Sequence, residues 1–351
     1  MAATSWTSEF DRATGPRPPS GAAGRRGRKL DPGHRELTMQ QRQTKYERLL
    51  ARARELPAMS TAIAHPCDEY SLAAALDAAR IGLIRPILVG PVARIRAAAA
   101  KAGLSLDGIE IVDTAHSHAA AEEAVRQVRL GKAECLMKGS LHTDELMGAV
   151  LDRETGLRTS RRISHCFIMD VPGHDDVIII SDAAINIAPD LAAKVDIVQN
   201  AIDLAHALGA GEVRVAILSA METVNPKVPS TIEAAALCKM ADRGQITGAI
   251  LDGPLALDNA IDPEAARMKQ IVSPVAGRAN VLIVPDLEAG NMLAKSLTFL
   301  ANADAAGIVL GARVPIMLTS RADSVETRLA SCAVASLVAK ARRDALSRKV
   351  V

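Results

Sequence analysis

Residues 306–332, AGIVLGARVPIMLTSRADSVETRLASC, parse as strand, turn, strand, turn, helix. Val309 and Leu310 close one apolar run, residues 311–314 turn the chain, and residues 315–319 form a second run. A helix is expected from about Val325. Asp323 lies three residues before Glu326, the spacing of a capping box. Ser320 and Arg321 are therefore expected at the end of a buried strand, just before a helix N-terminus. Unpaired backbone N–H groups and the helix dipole favour an anion at such a place. Arginine adds a planar, permanently charged fork that matches phosphate or carboxylate.

Outward from this stretch, strands and helices alternate. Strand-like runs are expected at 81–90, 109–113, 133–138, 166–171, 177–181, 213–219, 248–252 and 280–284, besides the two of the opening stretch. Helical periods lie between them, for example at 71–80, 118–130, 190–208 and 230–243, and a charged amphipathic helix is expected over 38–56. Several strands are continuous runs of β-branched residues and leucine, the pattern of strands buried on both faces. Repeated βα units imply an α/β fold with mostly parallel sheets covered by helices. Ligands in such folds sit beyond the carboxyl ends of the strands. There the polar residues collect: Lys138 to Glu145, Asp182, Glu222 to Asn225, Asp252 to Asp258, and Asp286 to Asn291. Any one of them alone reads as a cap or turn.

Composition removes several function classes. The 351 residues carry a net charge of only +2, and six aromatic side chains offer no base-stacking platform, so no nucleic-acid partner is expected. Five cysteines, widely spaced and without a CxxC pair, fit a reduced, cytoplasmic setting and no metal centre. No apolar run approaches the roughly 18 residues that span a bilayer, and no signal-peptide core opens the chain, so no membrane partner is expected. Residues 1–35, rich in Gly, Pro and Arg, read as a disordered basic tail. There is no GxxxxGK[ST], no dinucleotide fingerprint, no HExxH and no GxSxG. His116 and His118 are expected to open a helix rather than bind metal.

The runs KGSLHTDELM (138–147), ISHCFIMDVPG (163–173), DGPLALDNA (252–260), SPVAG (273–277), PDLEAGN (285–291) and MLTSRADS (317–324) are similar to the phosphate acetyl/butyryltransferase family. The resemblance is nearest to its butyryl branch and to the transferase part of hydratase fusions, and it covers about residues 40–340. It implies the reaction acyl-CoA + phosphate = acyl phosphate + CoA on short acyl chains, acetyl to butyryl, by direct transfer in a ternary complex. It implies a two-domain fold like that of isocitrate and isopropylmalate dehydrogenases, with the active site in the interdomain cleft. The first domain would be split, 36–158 plus 306–351. The second, 159–305, would carry a homodimer interface, or that of a higher homo-oligomer. Coenzyme A enters as a substrate, no cofactor is bound, and no metal is required.

The same resemblance assigns catalytic roles to Ser320 and Arg321, and Glu326 enters as a candidate base because it and Asp323 are the carboxylates nearest the family's base position, Thr327. Substrate contacts would come from Lys138, Gly139, His142, Thr143, Asp286, Gly290, Asn291 and Asp323, with KGSLHT, PDLEAGN and Ser320-Arg321 close together. Both reactants are anionic, so Arg321 and Lys138 would hold them in attack geometry. Backbone amides near Gly139, Thr143 and Gly290-Asn291 would face the tetrahedral oxyanion. Ser320 would hydrogen-bond the thiol sulfur or the phosphoryl group. Two positions depart from the acetyl branch: Thr327 stands where that branch has a carboxylate base, and Met147 where it has an arginine. Two rival readings remain, a non-catalytic acyl-CoA-binding regulatory module and a metal- and NAD-dependent hydroxyacid dehydrogenase of the same fold.

Overall fold

The computed structural model describes residues 44–318 and 323–348. The tail over 1–35 and the strand-end pair Ser320 and Arg321 lie outside the described residues. Among the described residues eleven strands form one sheet. They are β1 (Met59–Ala64), β2 (Ile84–Gly90), β3 (Glu110–Asp113), β4 (Cys135–Lys138), β5 (Ser164–Asp170), β6 (Ile178–Ser181), β7 (Arg214–Leu218), β8 (Ile250–Leu255), β9 (Val281–Ile283), β10 (Asp304–Leu310) and β11 (Ile316–Met317). Their order is β3-β2-β1-β4-β11-β10-β5-β6-β9-β7-β8. The fold is α/β and the sheet is mostly parallel, as expected. Among the described residues its antiparallel pairings are β10–β11, β10–β5 and β5–β6, at its centre.

β1 is the strand that the sequence reading missed. Its residues, MSTAIA, are all buried. They are too small and too weakly β-prone to stand out against the Ile- and Val-rich runs. The strand is fixed instead by its neighbours, β2 on one side and β4 on the other. Successive residues face opposite sides of the sheet. Ile63 joins the core with Leu72, Ile95 and Val334, while Ala62 and Ala64 join the opposite core with Val125, Leu146 and Val150. The last helix, Val325–Arg348, lies in the first of these cores, with Cys332, Ala333, Val334 and Ala335 at 0 % exposure.

The capping expectation needs correction. The hydroxyl of Ser324, not the carboxylate of Asp323, accepts the amide of Thr327, at 3.1 Å. Ser324 is adjacent to the first helical residue, so its short side chain reaches the third helical amide. Glu326 therefore falls at the second helical position and completes no capping box with Asp323.

Strand direction decides which loops can meet. β11 runs parallel to β4, then three successive pairings reverse direction before β6 runs parallel to β9. β9 is thus antiparallel to β4. The loop after β4 leaves what we term the upper edge of the sheet, and the loop after β9 leaves the lower edge.

Candidate functional site

The upper edge gathers the ends of β1 and β4. His65, which follows β1, adopts a left-handed backbone (φ 55°) and donates its N–H to Val89 O at 2.7 Å. This turn brings the His65 carbonyl to Ser140, which donates to it both from its backbone N (2.9 Å) and from Oγ (2.8 Å). Gly139 passes between them. A Cβ there would lie 2.4 Å from Ala64 O and 2.6 Å from His65 O, so only glycine fits.

Ser140 Oγ also accepts from the Cys67 amide at 3.2 Å and lies 3.1 Å from His65 Nδ1. A hydroxyl has one proton, and this one is given to the His65 carbonyl. Nδ1 must then carry the imidazole proton, leaving Nε2 as an acceptor facing Arg94 Nη1 at 3.5 Å. Burial, then the Arg94 charge, push the His65 pKa below its ordinary value. A neutral ring is what this arrangement requires.

Lys138 is half-buried and donates through Nζ to the carbonyls of Gly139 and Leu141, each at 3.2 Å. His142 and Thr143 are exposed and open the helix Thr143–Leu151. The His142 amide donates to Glu145 Oε2 at 3.1 Å, and Glu145 Oε1 accepts from Ser117 Oγ at 3.0 Å. His116 caps the neighbouring helix Ser117–Arg129, its Nδ1 accepting from the Ala119 amide at 3.2 Å.

On the other flank of the upper edge Asp323 is half-buried and Glu326 is exposed. Glu326 lies by Tyr46, whose hydroxyl pKa is raised by burial first and then by the Glu326 charge. Thr327 is tied into the cap, its Oγ1 accepting from Ser324 Oγ at 3.3 Å.

The lower edge holds the remaining predicted residues. Asp286 caps the helix Leu287–Leu300, its Oδ1 accepting from the Ala289 amide at 2.8 Å. Gly290 packs under Asp182: a Cβ there would lie 2.7 Å from Val284 Cγ2 and 2.9 Å from Asp182 O. Asn291 donates to Ala183 O at 3.3 Å. Asp182 itself is buried and accepts from the amides of Ala184, Ile185 and Asn186 at 3.0, 3.1 and 3.1 Å and from Asn186 Nδ2 at 2.5 Å.

Within one chain, then, KGSLHT and PDLEAGN are not neighbours. They leave opposite edges of the sheet, from strands five places apart, on the order of 24 Å at about 4.8 Å per step. Sequence motifs carry no information on this, because the reversal is made by three antiparallel pairings among the four central strands β11, β10, β5 and β6, whose direction no spacing reveals. His65 and Arg94 were also missed, since each is an isolated residue beside a strand whose importance lies only in what it meets. Among the described residues no group of three or more His, Cys, Asp and Glu is placed to hold a metal ion. No described helix is long and apolar enough to cross a membrane.

A mostly parallel, helix-covered sheet with a lysine-bearing, glycine-threaded strand end puts the chain in the α/β class. The family described as phosphate acetyl/butaryl transferase matches residues 118–336, and the chain belongs to it. A phosphate acetyltransferase of Rhizobium meliloti is 70% identical over 303 residues, which is 86% of this chain and 96% of that protein. A phosphate butyryltransferase of Clostridium beijerinckii is 42% identical over 294 residues, 84% of this chain and 97% of that protein. Among solved structures, a branched-chain phosphotransacylase from Enterococcus faecalis superposes with a TM-score of 0.71 at 31% identity. It covers 80% of this chain and 99% of its own.

Proposed function

We propose that the chain is a phosphate acyltransferase, acyl-CoA + phosphate = acyl phosphate + CoA, acting on short acyl groups within one ternary complex. The observation that carries this reading is the 70% identity to a phosphate acetyltransferase across nearly the whole of that protein. A phosphate oxygen attacks the thioester carbonyl, the C–S bond breaks, and the coenzyme leaves as thiolate. Both partners are anions, so the first demand on the site is positive charge. Lys138 supplies part of it at the upper edge, and Arg321, two residues before Asp323, supplies the rest. The Thr143 amide faces the tetrahedral oxyanion, those of Gly139, Ser140 and His142 being donated to Ala64 O, His65 O and Glu145 Oε2, and in the reverse direction Glu326 takes the proton of the coenzyme thiol. The division into 36–158 plus 306–351 and 159–305, a homodimer formed through the second part, and a cytoplasmic setting belong to this same reading.

The test is release of free thiol from acetyl-, propionyl- and butyryl-CoA, with and without phosphate and without added metal. Release that requires phosphate supports the transferase, and the order of rates gives the acyl preference. No release, together with tight coenzyme A binding by calorimetry, sinks it in favour of a regulatory binding module.

A further inference from the structure

Beside Glu326 the structure contains a cavity of about 250 Å³. Leu49 of the opening helix Lys45–Arg54, Ile168 of β5, Ala305 and Ala306 of β10, and Ala330 of the last helix form its wall. Ile168 and Ala306 are cross-strand partners in the register of β5 and β10, so they lie side by side on one face of the sheet. Both are buried, at 5 % and 3 % exposure. At the far end Lys45 Nζ is paired with Asp170 Oδ1 at 2.7 Å and also donates to Asp176 O at 3.3 Å. Arg48, Arg52, Asp304 and Glu326 also line the cavity and are exposed, so charge gathers at its rim and the aliphatic part is the floor of Ile168, Ala306 and Ala330.

We infer that this cavity receives the acyl chain of the thioester, and that Ala306 of β10 sets the longest chain it takes. The inference rests on the transferase reading above. Three observations carry it. The cavity is smaller than the roughly 300–1,000 Å³ of sites that enclose a whole drug-sized ligand, so it fits a fragment and not the coenzyme. Its wall suits an alkyl group, which gains free energy there by leaving water. Glu326 and Thr327, on the first turn of the last helix, stand at the same cavity. A chain seated in it places its carbonyl beside the candidate base. The small side chains of Ala306 and Ala330 keep the space open, while that of Ala305 turns to the opposite core with Met169. A single methyl or methylene added to or removed from such a pocket changes discrimination by about 10–200-fold.

The experiment compares kcat/KM for acetyl-CoA and butyryl-CoA in the wild type, Ala306→Val and Leu49→Ala. Ala306→Val narrows the cavity and should lower the butyryl-to-acetyl ratio about tenfold or more. Leu49→Ala, on the half-buried face of a helix outside the sheet, widens it and should raise the ratio toward longer and branched chains. Circular dichroism establishes that each variant is folded, and either one alone decides the matter if the other is not. An active wild type with a ratio unchanged within twofold in a folded variant overturns the pocket and leaves the transferase standing. A wild type that releases no thiol from any acyl-CoA overturns both.

Discussion

At the upper edge, His142, Thr143 and Glu326 carry polar groups to the surface. At the lower edge, Asp182 has its hydrogen-bonding capacity filled. A carboxylate offers about four lone-pair sites. Those of Asp182 are taken by three backbone amides and one side-chain amide. Asp286, Gly290 and Asn291 around it have comparable internal duties as cap, close-packing point and tether. Both edges are polar strand ends of an α/β sheet, and both use a glycine where a Cβ would meet backbone. The difference is whether the polar atoms are satisfied from within. A saturated cluster holds loops in place, and a cluster with exposed donors can hold a substrate.

This contrast can be broken from either side. The largest effect is expected from Arg321→Ala, which should lower kcat/KM by about 10²–10³-fold while the unfolding midpoint in urea stays put. Near-wild-type kinetics would remove Arg321 from the site. Asp182→Asn should do the reverse. It replaces an acceptor-only group with one that presents N–H to N–H, and should cost about 2–3 kcal/mol of stability with KM for phosphate unmoved. A rise in KM with stability intact would make the lower edge part of the binding site.

Glu326→Gln should reduce kcat about tenfold, less than for a buried base, because its carboxylate is exposed and gains little from desolvation. An unchanged kcat at every pH would leave the proton to phosphate itself. The smallest effect expected is on stability against pH. His65 and His165 are both held below the ordinary histidine pKa, chiefly by burial. The unfolded chain therefore takes up protons as pH falls through about 6.5, while the folded chain does not. Stability should be full above that pH and fall below it, by on the order of 1 kcal/mol at pH 5.5. His165→Leu should flatten the curve more than His65→Gln, since burial takes the His165 pKa down to about 4. Equal unfolding free energies at pH 7.5 and 5.5 in the wild type would refute this.

The alternation of apolar runs and helical periods gave the α/β class and nearly all strands to within a few residues, because burial on both faces leaves an unmistakable pattern in segments such as VIIIS and VRVAIL. It missed β1, where small residues do the same work without high β-propensity. It put the cap at Asp323 rather than Ser324, since a spacing of three can be satisfied twice in DSVET. It named Lys138 and Gly139 correctly as a strand-end pair, but it could not see His65 closing over them. That contact is made by β1 and β4, 75 residues apart at His65 and Ser140. The joint placement of KGSLHT and PDLEAGN failed for a different reason: direction within a sheet is a property of the whole order of strands, not of any motif.

The two-residue strand β11 has a consequence for how the molecule is made. It fills the gap between β4 and β10, and Cys135 Sγ reaches Pro315 O across 180 residues of chain. At synthesis rates of about 5–20 residues per second, β4 waits roughly 10–40 s on the ribosome before its partner exists. During that interval the buried run Cys135–Met137 presents an open edge, the kind of template on which other chains pair. The strand that completes the upper edge is thus also the one that ends the nascent chain's exposure to aggregation.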